Sequence, residues 1–452
     1  MLSEDTKVRL IDVVGDRFSD DAEMRNKYAP DIDHIDYFVP DAIVYPNSKE
    51  EIQSIVNICE ISNTPIIPFG AGTSVEGQVS APLGGICLQL SRMNKVVRFS
   101  EFDKDITVEA GITKNELNSY LSGKGLFFSV DPGVNATIGG MCSTSASGAN
   151  TVKYGTIGEN ILNLGVVVSG GRYIKTGSRA RKSAAGFDLA RLFVGAEGTL
   201  GVITEATLKL NATPQSRVCV LAEFANLEGA VNTIVEVLRG CAPIAKAELL
   251  DEVAVQAMNN YSSLSLNVRP HVLLEIHGNT NTINFYQELV DQSLRESGVA
   301  AIAFLKGEGQ DNRIWSARYS LGLAIKGYFP SKKLLWTDVC VPISELAECI
   351  SDAKALLVDH CLDASIFGHV GDGNFHMGIS ASNAEEMRLA KYIHEVIVDI
   401  AHARGGTCTG EHGVGIGKID FLYRERVSEI ELMRGIKQSL DPKHIFNPSK
   451  LF

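Results

Sequence analysis

The sequence predicts an α+β protein with two main domains, and three observations lead to that fold class. The chain has 452 residues, of which 45% are hydrophobic and 21% charged, which is enough for two or three domains with their own cores. Residues 38–215 combine glycine-rich segments with short strand-like runs, whereas residues 216–439 alternate longer helical stretches with strands. Residues 1–37 are predicted to be a helical lead-in. Residues 440–452 are predicted to be a short segment that returns to the first domain.

The individual elements are predicted from turn residues and helix caps. In the first domain, "SKEEIQSIVNICEIS" and "TKNELNSYLSGKG" begin with Ser or Thr ahead of an acid, as capped amphipathic helices do. Turn residues bound its β-like runs, which are "TPIIPFGAGTS", "GGICLQLS", "DITVEAG", "NLGVVVSGGRYIKTG" and "GTLGVITEATLKL". The second domain has helical stretches such as "LEGAVNTIVEVLRG" between strands such as "VLLEIHG", "TDVCVPI" and "ASIFGHVG".

Charge and cysteine usage narrow the class of partner and the compartment. The 42 Lys+Arg against 54 Asp+Glu give a net charge of −12 without runs of like charge, which disfavours nucleic acid and anionic membranes. The 9 cysteines contain no C-x-x-C pair, as expected for reduced thiols. Because the N-terminal residues carry no recognisable targeting signal, we expect a cytoplasmic protein, with peripheral contact at the inner membrane face left open.

Three glycine-rich segments predict a site for a large polar cofactor. "PFGAGTSVEG" follows a predicted strand, and its glycines let backbone N–H groups approach a pyrophosphate. Its spacing is neither G-x-G-x-x-G nor that of a P-loop. A single such segment is more often an ordinary turn. The further segments "DPGVNATIGGMCSTSASGANTVKYGTIGENI" and "GAEGTLGVIT" favour a dinucleotide cofactor over flexible surface loops.

The stretch "GHVGDGNFH" places His369 and His376 seven residues apart, about 10 Å along a helix. The pair Asp372-Gly373 is a strong signal for a two-residue hairpin loop, since both residues tolerate the positive φ of a type I′ turn. Such a loop would put His369 directly opposite His376, with Cβ atoms about 5 Å apart. The two imidazoles could then share one divalent ion. Without the turn, they would be two unrelated histidines.

A metal site with open positions needs a third ligand, and "GTCTGEHGVG" supplies Glu411. Two histidines and one carboxylate are typical of a catalytic site, and Zn²⁺ and Mn²⁺ both suit these ligands. His412 follows Glu411 and is a candidate general base. The alternative for His412 is a residue that only orients its neighbours.

The ordered set "PFGAGTSVEG", "DPGVNATIGG", "SASGANTVKYGTIGENI", "GAEGTLGVIT", "TDVCVP", "GHVGDGNFH", "GTCTGEHGVGIGK" and "LDPKHIFNPSK" resembles the FAD-linked 2-hydroxyacid dehydrogenases of the vanillyl-alcohol-oxidase superfamily. The residues of these motifs are most similar to those of D-lactate dehydrogenases linked to cytochrome or quinone. Glycolate oxidase subunits and D-2-hydroxyglutarate dehydrogenases are near relatives. The resemblance covers residues 38–452 and implies an FAD domain of two α+β subdomains with an α+β cap domain.

The resemblance also implies the cofactor residues. The loop at 68–74 would hold the FAD pyrophosphate, 132–148 would run along the flavin, and Glu197, Gly198 and Ile203 would contact the adenine side. Where some members carry a histidine for covalent FAD, this chain has Thr73, so we expect dissociable FAD. The full predicted set is Pro68, Gly70, Ala71, Gly72, Thr73, Ser74, Pro132, Gly133, Thr137, Gly139, Gly140, Ser143, Gly148, Glu197, Gly198, Ile203 and Asn447.

The chemistry implied is oxidation of a D-2-hydroxyacid, most simply D-lactate to pyruvate. The substrate α-hydrogen would leave as hydride to flavin N5, with its hydroxyl bound to the metal and its proton taken by His412. Arg318 in "RIWSARYS" lies where relatives place an arginine for the substrate carboxylate. Hydroxyglutarate-type relatives carry polar or basic groups where this chain has Trp336 and Gly378. That departure favours a small or apolar hydroxyacid.

Two alternatives stay open at this point. A glycolate oxidase-type or D-2-hydroxyglutarate-type enzyme would use the same mechanism. A non-catalytic electron-transfer flavoprotein would bind FAD without oxidising a substrate. Since no second redox-centre motif is present, electrons would leave to a quinone, a cytochrome or an electron-transfer flavoprotein. A homodimer is compatible with the sequence.

Overall fold

In the computed structural model, the described residues are 2–29, 35, 38–240, 242–305 and 309–452. They form two compact units. The first unit comprises Met1–Ser147, Gly155–Thr213 and Glu411–Phe452, and the second comprises Gly148–Tyr154 and Pro214–Gly410. The division at Thr213 lies close to the predicted boundary at 215. It differs from the prediction at the other end, since residues 411–439 belong to the first unit. Part of the predicted lead-in, 30–34 with 36 and 37, lies outside the described residues.

The helices and strands are numbered in chain order. The helices are α1 (Glu4–Val14), α2 (Ala22–Asn26), α3 (Lys49–Ser62), α4 (Lys114–Leu121), α5 (Ile138–Ser143), α6 (Thr151–Tyr154), α7 (Ile157–Asn160), α8 (Leu189–Phe193), α9 (Leu227–Arg239), α10 (Glu252–Ser262), α11 (Ile283–Glu296), α12 (Gln310–Tyr319), α13 (Leu321–Tyr328), α14 (Leu346–Asp359), α15 (Ala384–Ala403), α16 (Ile419–Glu425) and α17 (Ile430–Leu440). The strands are β1 (Phe18–Ser19), β2 (Ala42–Val44), β3 (Ile66–Phe69), β4 (Ile86–Gln89), β5 (Val96–Ser100), β6 (Asp105–Glu109), β7 (Leu126–Phe127), β8 (Ile161–Val168), β9 (Arg172–Lys175), β10 (Val202–Lys209), β11 (Asn211–Ala212), β12 (Ser216–Glu223), β13 (Ile244–Leu250), β14 (His271–Gly278), β15 (Ala301–Leu305), β16 (Lys333–Trp336), β17 (Val339–Cys340), β18 (Ala364–Gly368) and β19 (Asn374–Ala381).

The first unit contains two main sheets. One has the order β1-β2-β4-β3, and the other is an antiparallel sheet of order β5-β6-β10-β8-β9. Helix α3 forms because Ser48 caps its N-terminus and Ile52, Ile55, Val56 and Cys59 repeat at helical spacing. These four residues are fully buried in the unit's hydrophobic core, which also includes residues of both sheets. Helix α3 and the two sheets therefore share one hydrophobic core.

The last residues of the chain extend the first unit. Phe446, which is fully buried, pairs with Ile66 of β3 in a parallel bridge. The N–H of Ile66 donates to the carbonyl of Ile445 at 2.7 Å, and the N–H of Asn447 donates to the carbonyl of Ile66 at 2.8 Å. Residues 445–447 thus lie beside β3, and Asn447 lines the same cavity as the glycine-rich loop that follows this strand.

The second unit is built on one sheet of order β15-β12-β14-β13-β18-β19-β16, with β17 paired to β19. Neighbouring strands along it run antiparallel. One hydrophobic cluster joins the sheet to α10 and α13 through Leu250, Met258, Leu321, Ile325 and Phe367. Those helices therefore cover the sheet face on which Phe367 lies.

The predicted two-residue loop at Asp372-Gly373 is wrong. Phe367, not His369, faces His376 in the β18–β19 register. Residues Val370–Asp372 form a 3₁₀ turn, and only Gly373 has positive φ, at 79°. A type I′ turn needs positive φ at both central residues, which Asp372 does not adopt. The register is displaced by two residues, and since side chains alternate with a period of two, His369 and His376 stay on one face as a diagonal pair.

The described part of the chain contains neither a membrane-spanning helix nor a disulfide bond. No helix there has the length and apolar character needed to cross a bilayer. The described cysteines form no disulfide.

Candidate active site

The first unit contains a cavity with about 1250 Å³ of empty space, part of it open to solvent. Three loops come together around it. They are the loop after β3, the segment leading into α5, and the turn before β10. The lining residues are Pro68, Phe69, Gly70, Ala71, Gly72, Thr73, Ser74, Val75, Gln78, Val79, Leu90, Pro132, Val134, Ala136, Thr137, Gly139, Gly140, Met141, Ser143, Thr144, Ala146, Ser147, Glu197, Gly198, Gly201, Ile203, Glu411, His412 and Asn447.

Nearly all of the predicted cofactor residues line this one cavity. Two do not. Gly133 is absent from the lining although its neighbour Pro132 is present, and Gly148 lies in the second unit. The sequence pattern missed the apolar part of the wall, for example Phe69 and Leu90, because such residues are indistinguishable in the sequence from core residues.

The glycines of the loop after β3 let the backbone approach its neighbours closely. A Cβ atom at Gly70 would lie 2.1 Å from Oγ1 of Thr137. Gly72 has φ of 69°, and a Cβ there would lie 2.6 Å from the ring of Phe69. A side chain at Gly70 would therefore collide with Thr137 at the start of α5, and one at Gly72 would collide with Phe69.

Two buried polar atoms in the cavity wall fit a polar ligand. Oγ of Ser74 and Oδ1 of Asn447 are buried and make no hydrogen bond within the described structure. Asn447 is held by its other amide atom, since Nδ2 donates to the carbonyls of Gln78 at 3.0 Å and Glu197 at 2.7 Å. Buried polar atoms of this kind are costly unless a ligand or water satisfies them. The cavity therefore suits a ligand with several polar groups, as FAD has.

Glu197 lines the cavity, but its carboxylate is bonded to the loop that carries His412. Oε1 accepts the N–H of Val414 at 2.7 Å, and Oε2 accepts the N–H of Gly415 at 2.8 Å. Burial raises the pKa of Glu197 to about 7, against the lowering effect of these two hydrogen bonds. The sequence resemblance assigned Glu197 to the adenine side. That assignment stays a prediction, and the Glu197 carboxylate anchors the backbone of Val414 and Gly415.

Glu411 and His412 enter the cavity wall on this anchored loop. Nε2 of Gln78 donates to the carbonyl of His412 at 2.7 Å. The loop turns at Gly413, with φ of 79°, where a Cβ would lie 2.4 Å from Oε1 of Glu197. Nδ1 of His412 lies 3.7 Å from a carboxylate oxygen of Glu76. His412 is thus held both through its backbone and beside a carboxylate.

In the second unit, His369 and His376 lie side by side. Their ring centroids are 5.7 Å apart, and the rings are nearly perpendicular, at 87°. Nδ1 of His369 is 2.6 Å from Oε1 of Glu248, and Nδ1 of His376 is 3.2 Å from the carbonyl of Thr337. Since both partners are acceptors, the proton of each ring is assigned to Nδ1, and in the neutral ring Nε2 then carries the lone pair. Metal-binding histidines typically show this arrangement.

Arg318 shares Glu248 with His369. Its Nε and Nη2 donate to Oε2 of Glu248 at 3.0 Å and 2.6 Å. Arg318 is only 8% exposed, so it is not an ordinary surface arginine of a helix. Burial would raise the pKa of Glu248, but Arg318 and His369 outweigh it, so the pKa lies below its usual value. The Glu248 carboxylate is therefore ionised.

Sequence analysis missed Glu248. The only signal was the presence of two charged residues, Lys246 and Glu248, in the otherwise apolar strand "IAKAELL". Both charged residues are buried in the structure, Glu248 completely. Charged side chains are almost never fully buried unless they are paired, so such a strand deserved inclusion among the candidates.

An apolar wall adjoins the histidine pair on the same sheet face. Trp336 pairs with Gly378 across β16 and β19, and a Cβ at Gly378 would lie 2.7 Å from the Trp336 ring. The Phe367 ring stands edge-on to Trp336 at 6.1 Å and lies 5.4 Å from the ring of His376. The Arg318 guanidinium lies over the Phe367 ring at 5.3 Å. The indole thus occupies the space that a side chain at residue 378 would need.

In comparisons with known proteins, each half of the chain matches a protein-family model. A family model described as FAD binding domain matches residues 40–177, and one described as FAD linked oxidases, C-terminal domain, matches residues 213–451. A probable mitochondrial D-lactate dehydrogenase of Danio rerio is 43% identical, over 91% of this chain and 84% of that protein. A mitochondrial D-lactate dehydrogenase (cytochrome) of Arabidopsis thaliana is 40% identical, over 91% and 73%. Glycolate oxidase subunit GlcD of Bacillus subtilis is 31% identical, over 100% and 97%.

Solved structures confirm the predicted fold of the vanillyl-alcohol-oxidase type. p-Cresol methylhydroxylase with substrate bound has a TM-score of 0.82 at 16% identity, over 99% of this chain and 96% of that one. 4-Ethylphenol oxidase from Gulosibacter chungangensis has a TM-score of 0.79 at 18% identity, over 100% and 98%. The chain belongs to the FAD-linked oxidases, and its resemblance to the D-2-hydroxyacid dehydrogenases among them is confirmed.

Proposed function

We propose that this protein oxidises D-lactate to pyruvate and passes the electrons from FAD to an acceptor other than NAD. The observation that carries the proposal is one face of the second unit's sheet, where the buried Arg318, the pair His369 and His376, and the apolar wall of Trp336 lie together. A 2-hydroxyacid offers a carboxylate, an adjacent hydroxyl and a small apolar group, which these three features match. The names of the Danio and Arabidopsis relatives, which describe D-lactate dehydrogenases, support the same substrate.

Arg318 is proposed to bind the substrate carboxylate. Glu248 accepts hydrogen bonds from Nε and Nη2 of the guanidinium. Nη1 is proposed to donate to the substrate. Because Glu248 is paired with the guanidinium, burying Arg318 before the substrate arrives costs less than burying an unpaired arginine would. A charge-assisted hydrogen bond from a buried guanidinium fixes the substrate orientation as well as adding affinity.

His369 and His376 are proposed as ligands of a divalent ion, Zn²⁺ or Mn²⁺, with Glu411 as the third ligand. The support is the pair of Nδ1 hydrogen bonds, which leave both Nε2 atoms as lone-pair donors. Such an ion would lower the pKa of a hydroxyl group that binds to it. His412, beside Glu411, is proposed to take the hydroxyl proton as the general base.

The cavity of the first unit is proposed to hold FAD through the loop at 68–74 and the α5 segment, with Ser74 and Asn447 as polar contacts. FAD supplies the acceptor for the two electrons that leave the substrate. Thr73 stands where a covalent link would need a histidine, so the cofactor is proposed to be dissociable. The onward acceptor is proposed to be a cytochrome, as the Arabidopsis relative's name indicates for that protein, with a quinone or an electron-transfer flavoprotein as the alternatives.

Other parts of the proposal rest on the sequence alone. We keep the cytoplasm as the proposed compartment, with peripheral membrane contact and a homodimer as compatible features. The names of the Danio and Arabidopsis relatives place those two proteins in mitochondria.

The proposed function is tested by anaerobic reduction of the bound flavin. D-Lactate is expected to bleach the flavin absorbance near 450 nm (roughly, as for oxidised flavins). L-Lactate, glycolate and D-2-hydroxyglutarate should do so much more slowly. A faster reaction with glycolate would favour the function of the GlcD relative, which aligns over this whole chain. Reduction by the dicarboxylate alone would show that the interpretation of Trp336 is wrong. Failure with all four substrates would favour a non-catalytic electron-transfer flavoprotein.

Trp336 is predicted to limit the size of the substrate side chain. Trp336→Ala should raise the ratio of kcat/KM for D-2-hydroxyhexanoate to that for D-lactate by roughly 10-fold or more, because removing the indole opens space beside Phe367. Steady-state kinetics with both substrates measure this ratio. Trp315→Ala is the matched control, since Trp315 is the other tryptophan of the chain and its ring packs against Nζ of Lys246 at 4.3 Å. An unchanged ratio in Trp336→Ala would remove Trp336 from the specificity proposal.

A further inference from the structure

Glu248 is the feature of the second unit that connects two otherwise separate parts of the proposed site. It lies on β13 and is fully buried. Both of its carboxylate oxygens are used, Oε1 by Nδ1 of His369 at 2.6 Å and Oε2 by Nε and Nη2 of Arg318 at 3.0 Å and 2.6 Å. One rigid carboxylate therefore joins the proposed metal ligand to the proposed substrate arginine.

Burying the Glu248 carboxylate costs free energy, so its presence is not explained by a need to fill space in the core. Burying an ionised group is unfavourable unless charge and hydrogen bonds compensate it, and a well-packed apolar residue often serves stability as well. The same sheet contains a comparable group, Glu275 on β14, whose Oε1 lies 2.6 Å from Nε2 of His277 and 3.6 Å from Nζ of Lys246. Glu275 has no connection to Arg318, His369 or His376 among the described contacts, so the two carboxylates can be compared directly.

We infer that Glu248 is a positioning residue that holds His369 as its Nδ1–H tautomer and fixes the spacing between that ring and the Arg318 guanidinium. The inference rests on the proposed function, because it assigns the two groups to the hydroxyl side and the carboxylate side of one substrate. In a 2-hydroxyacid these groups are on adjacent carbons. A fixed spacing would therefore favour 2-hydroxyacids over 3-hydroxyacids.

Glu248→Gln tests the inference because an amide cannot replace both acceptors. If its oxygen faces Arg318, its NH₂ group faces Nδ1 of His369, which must then accept, so the ring proton moves to Nε2. If its oxygen faces His369, the NH₂ group opposes the N–H donors of Arg318. In the first case the nitrogen proposed for the metal is blocked. In the second the arginine loses its anchor.

Two measurements follow, and neither requires turnover. The first arrangement of the amide, with its oxygen facing Arg318, is expected, because Oε2 accepts two N–H groups from Arg318. In metal-free, FAD-loaded protein labelled with ¹⁵N-histidine, long-range ¹H–¹⁵N spectra should therefore show His369 as Nδ1–H in the wild type and as Nε2–H in Glu248→Gln. Zinc titration against a chromophoric chelator should show about 10- to 100-fold weaker binding in Glu248→Gln, as for other residues that orient metal ligands. Glu275→Gln should match the wild type in both measurements.

Kinetics with D-lactate separate this inference from a general loss of structure. The KM of Glu248→Gln should rise together with a fall in kcat, whereas Glu275→Gln should leave both near wild-type values. Should Glu248→Gln not fold, Glu248→Asp keeps the charge but shortens the reach. It should keep the His369 tautomer while raising the KM and the relative activity with D-3-hydroxybutyrate.

The inference is overturned if Glu248→Gln shows wild-type His369 tautomer, zinc affinity and KM. If Glu248→Asp is used in its place, a wild-type KM and a wild-type ratio of D-3-hydroxybutyrate to D-lactate activity overturn it. It is also overturned if Glu275→Gln is equally impaired, because the effect would then be one of buried charge in general. If the proposed function is wrong, the measurements give a different pattern. The wild type would not be reduced by any 2-hydroxyacid, while the tautomer difference between wild type and Glu248→Gln would remain.

Discussion

His412→Asn is expected to lower kcat for D-lactate by about 10²- to 10⁴-fold, the usual contribution of a positioned general base. The FAD content should stay unchanged. Asparagine cannot take up a proton near neutral pH, yet it is polar and small enough for the same place in the cavity wall. The loop itself should keep its conformation, because its anchors are the backbone N–H groups of Val414 and Gly415 and the carbonyl of residue 412. Flavin absorbance and stopped-flow reduction measure the two quantities separately.

His444→Asn is the matched control for this experiment. His444 is an exposed residue of the first unit whose Nε2 lies 2.7 Å from Oε1 of Gln438, and it does not line the cavity. The same substitution there should leave the reduction rate within about 2-fold of wild type, as expected for a surface change. If His412→Asn reduces the flavin at a rate near that of His444→Asn, His412 only orients its neighbours and another group accepts the proton.

Local sequence signals predicted much of the fold, and the errors of the prediction have local causes. The caps and apolar spacing of "SKEEIQSIVNICEIS" predict a helix, and α3 spans Lys49–Ser62. The Asp-Gly pair predicts a hairpin between β18 and β19, which forms. The turn type was wrong because only Gly373 takes positive φ while Asp372 belongs to a 3₁₀ turn. The same face of the sheet was nevertheless obtained, since the two-residue error preserves the alternation of side chains.

The sequence predicted those site residues that lie within short motifs. It did not predict the residues that are brought together only by strand pairing in the sheet. The loop at 68–74 and the α5 segment line one cavity as a set. Glu248, by contrast, is separated by 121 residues from His369 and by 70 from Arg318. Its role depends on the adjacency of β13 and β18, which no short motif specifies. For Glu197, the motif indicated the cavity, but the partners of its carboxylate, Val414 and Gly415, are more than 200 residues away.

His376→Ala is expected to lose the divalent ion and to lower kcat/KM for D-lactate by about 10³-fold or more, since a Lewis acid at the reacting hydroxyl contributes several kcal/mol. Treatment of the wild type with EDTA should have the same effect, and adding Zn²⁺ or Mn²⁺ back should restore only the wild type. Elemental analysis of the purified proteins gives the metal content directly. The ion that restores activity identifies the metal, which the ligand types alone do not distinguish.

His271→Ala separates loss of the ion from damage to the sheet. His271 is a buried histidine of the same sheet, and its Nδ1 lies 2.8 Å from the carbonyl of Arg269, much as Nδ1 of His376 faces the carbonyl of Thr337. Removing either ring leaves a comparable cavity and should cost similar stability. Only His376→Ala should lose the metal, because only His376 has a second imidazole beside it at 5.7 Å. Equal metal content and equal turnover in the two variants would contradict the metal site, and His369 and His376 would then have only a structural role.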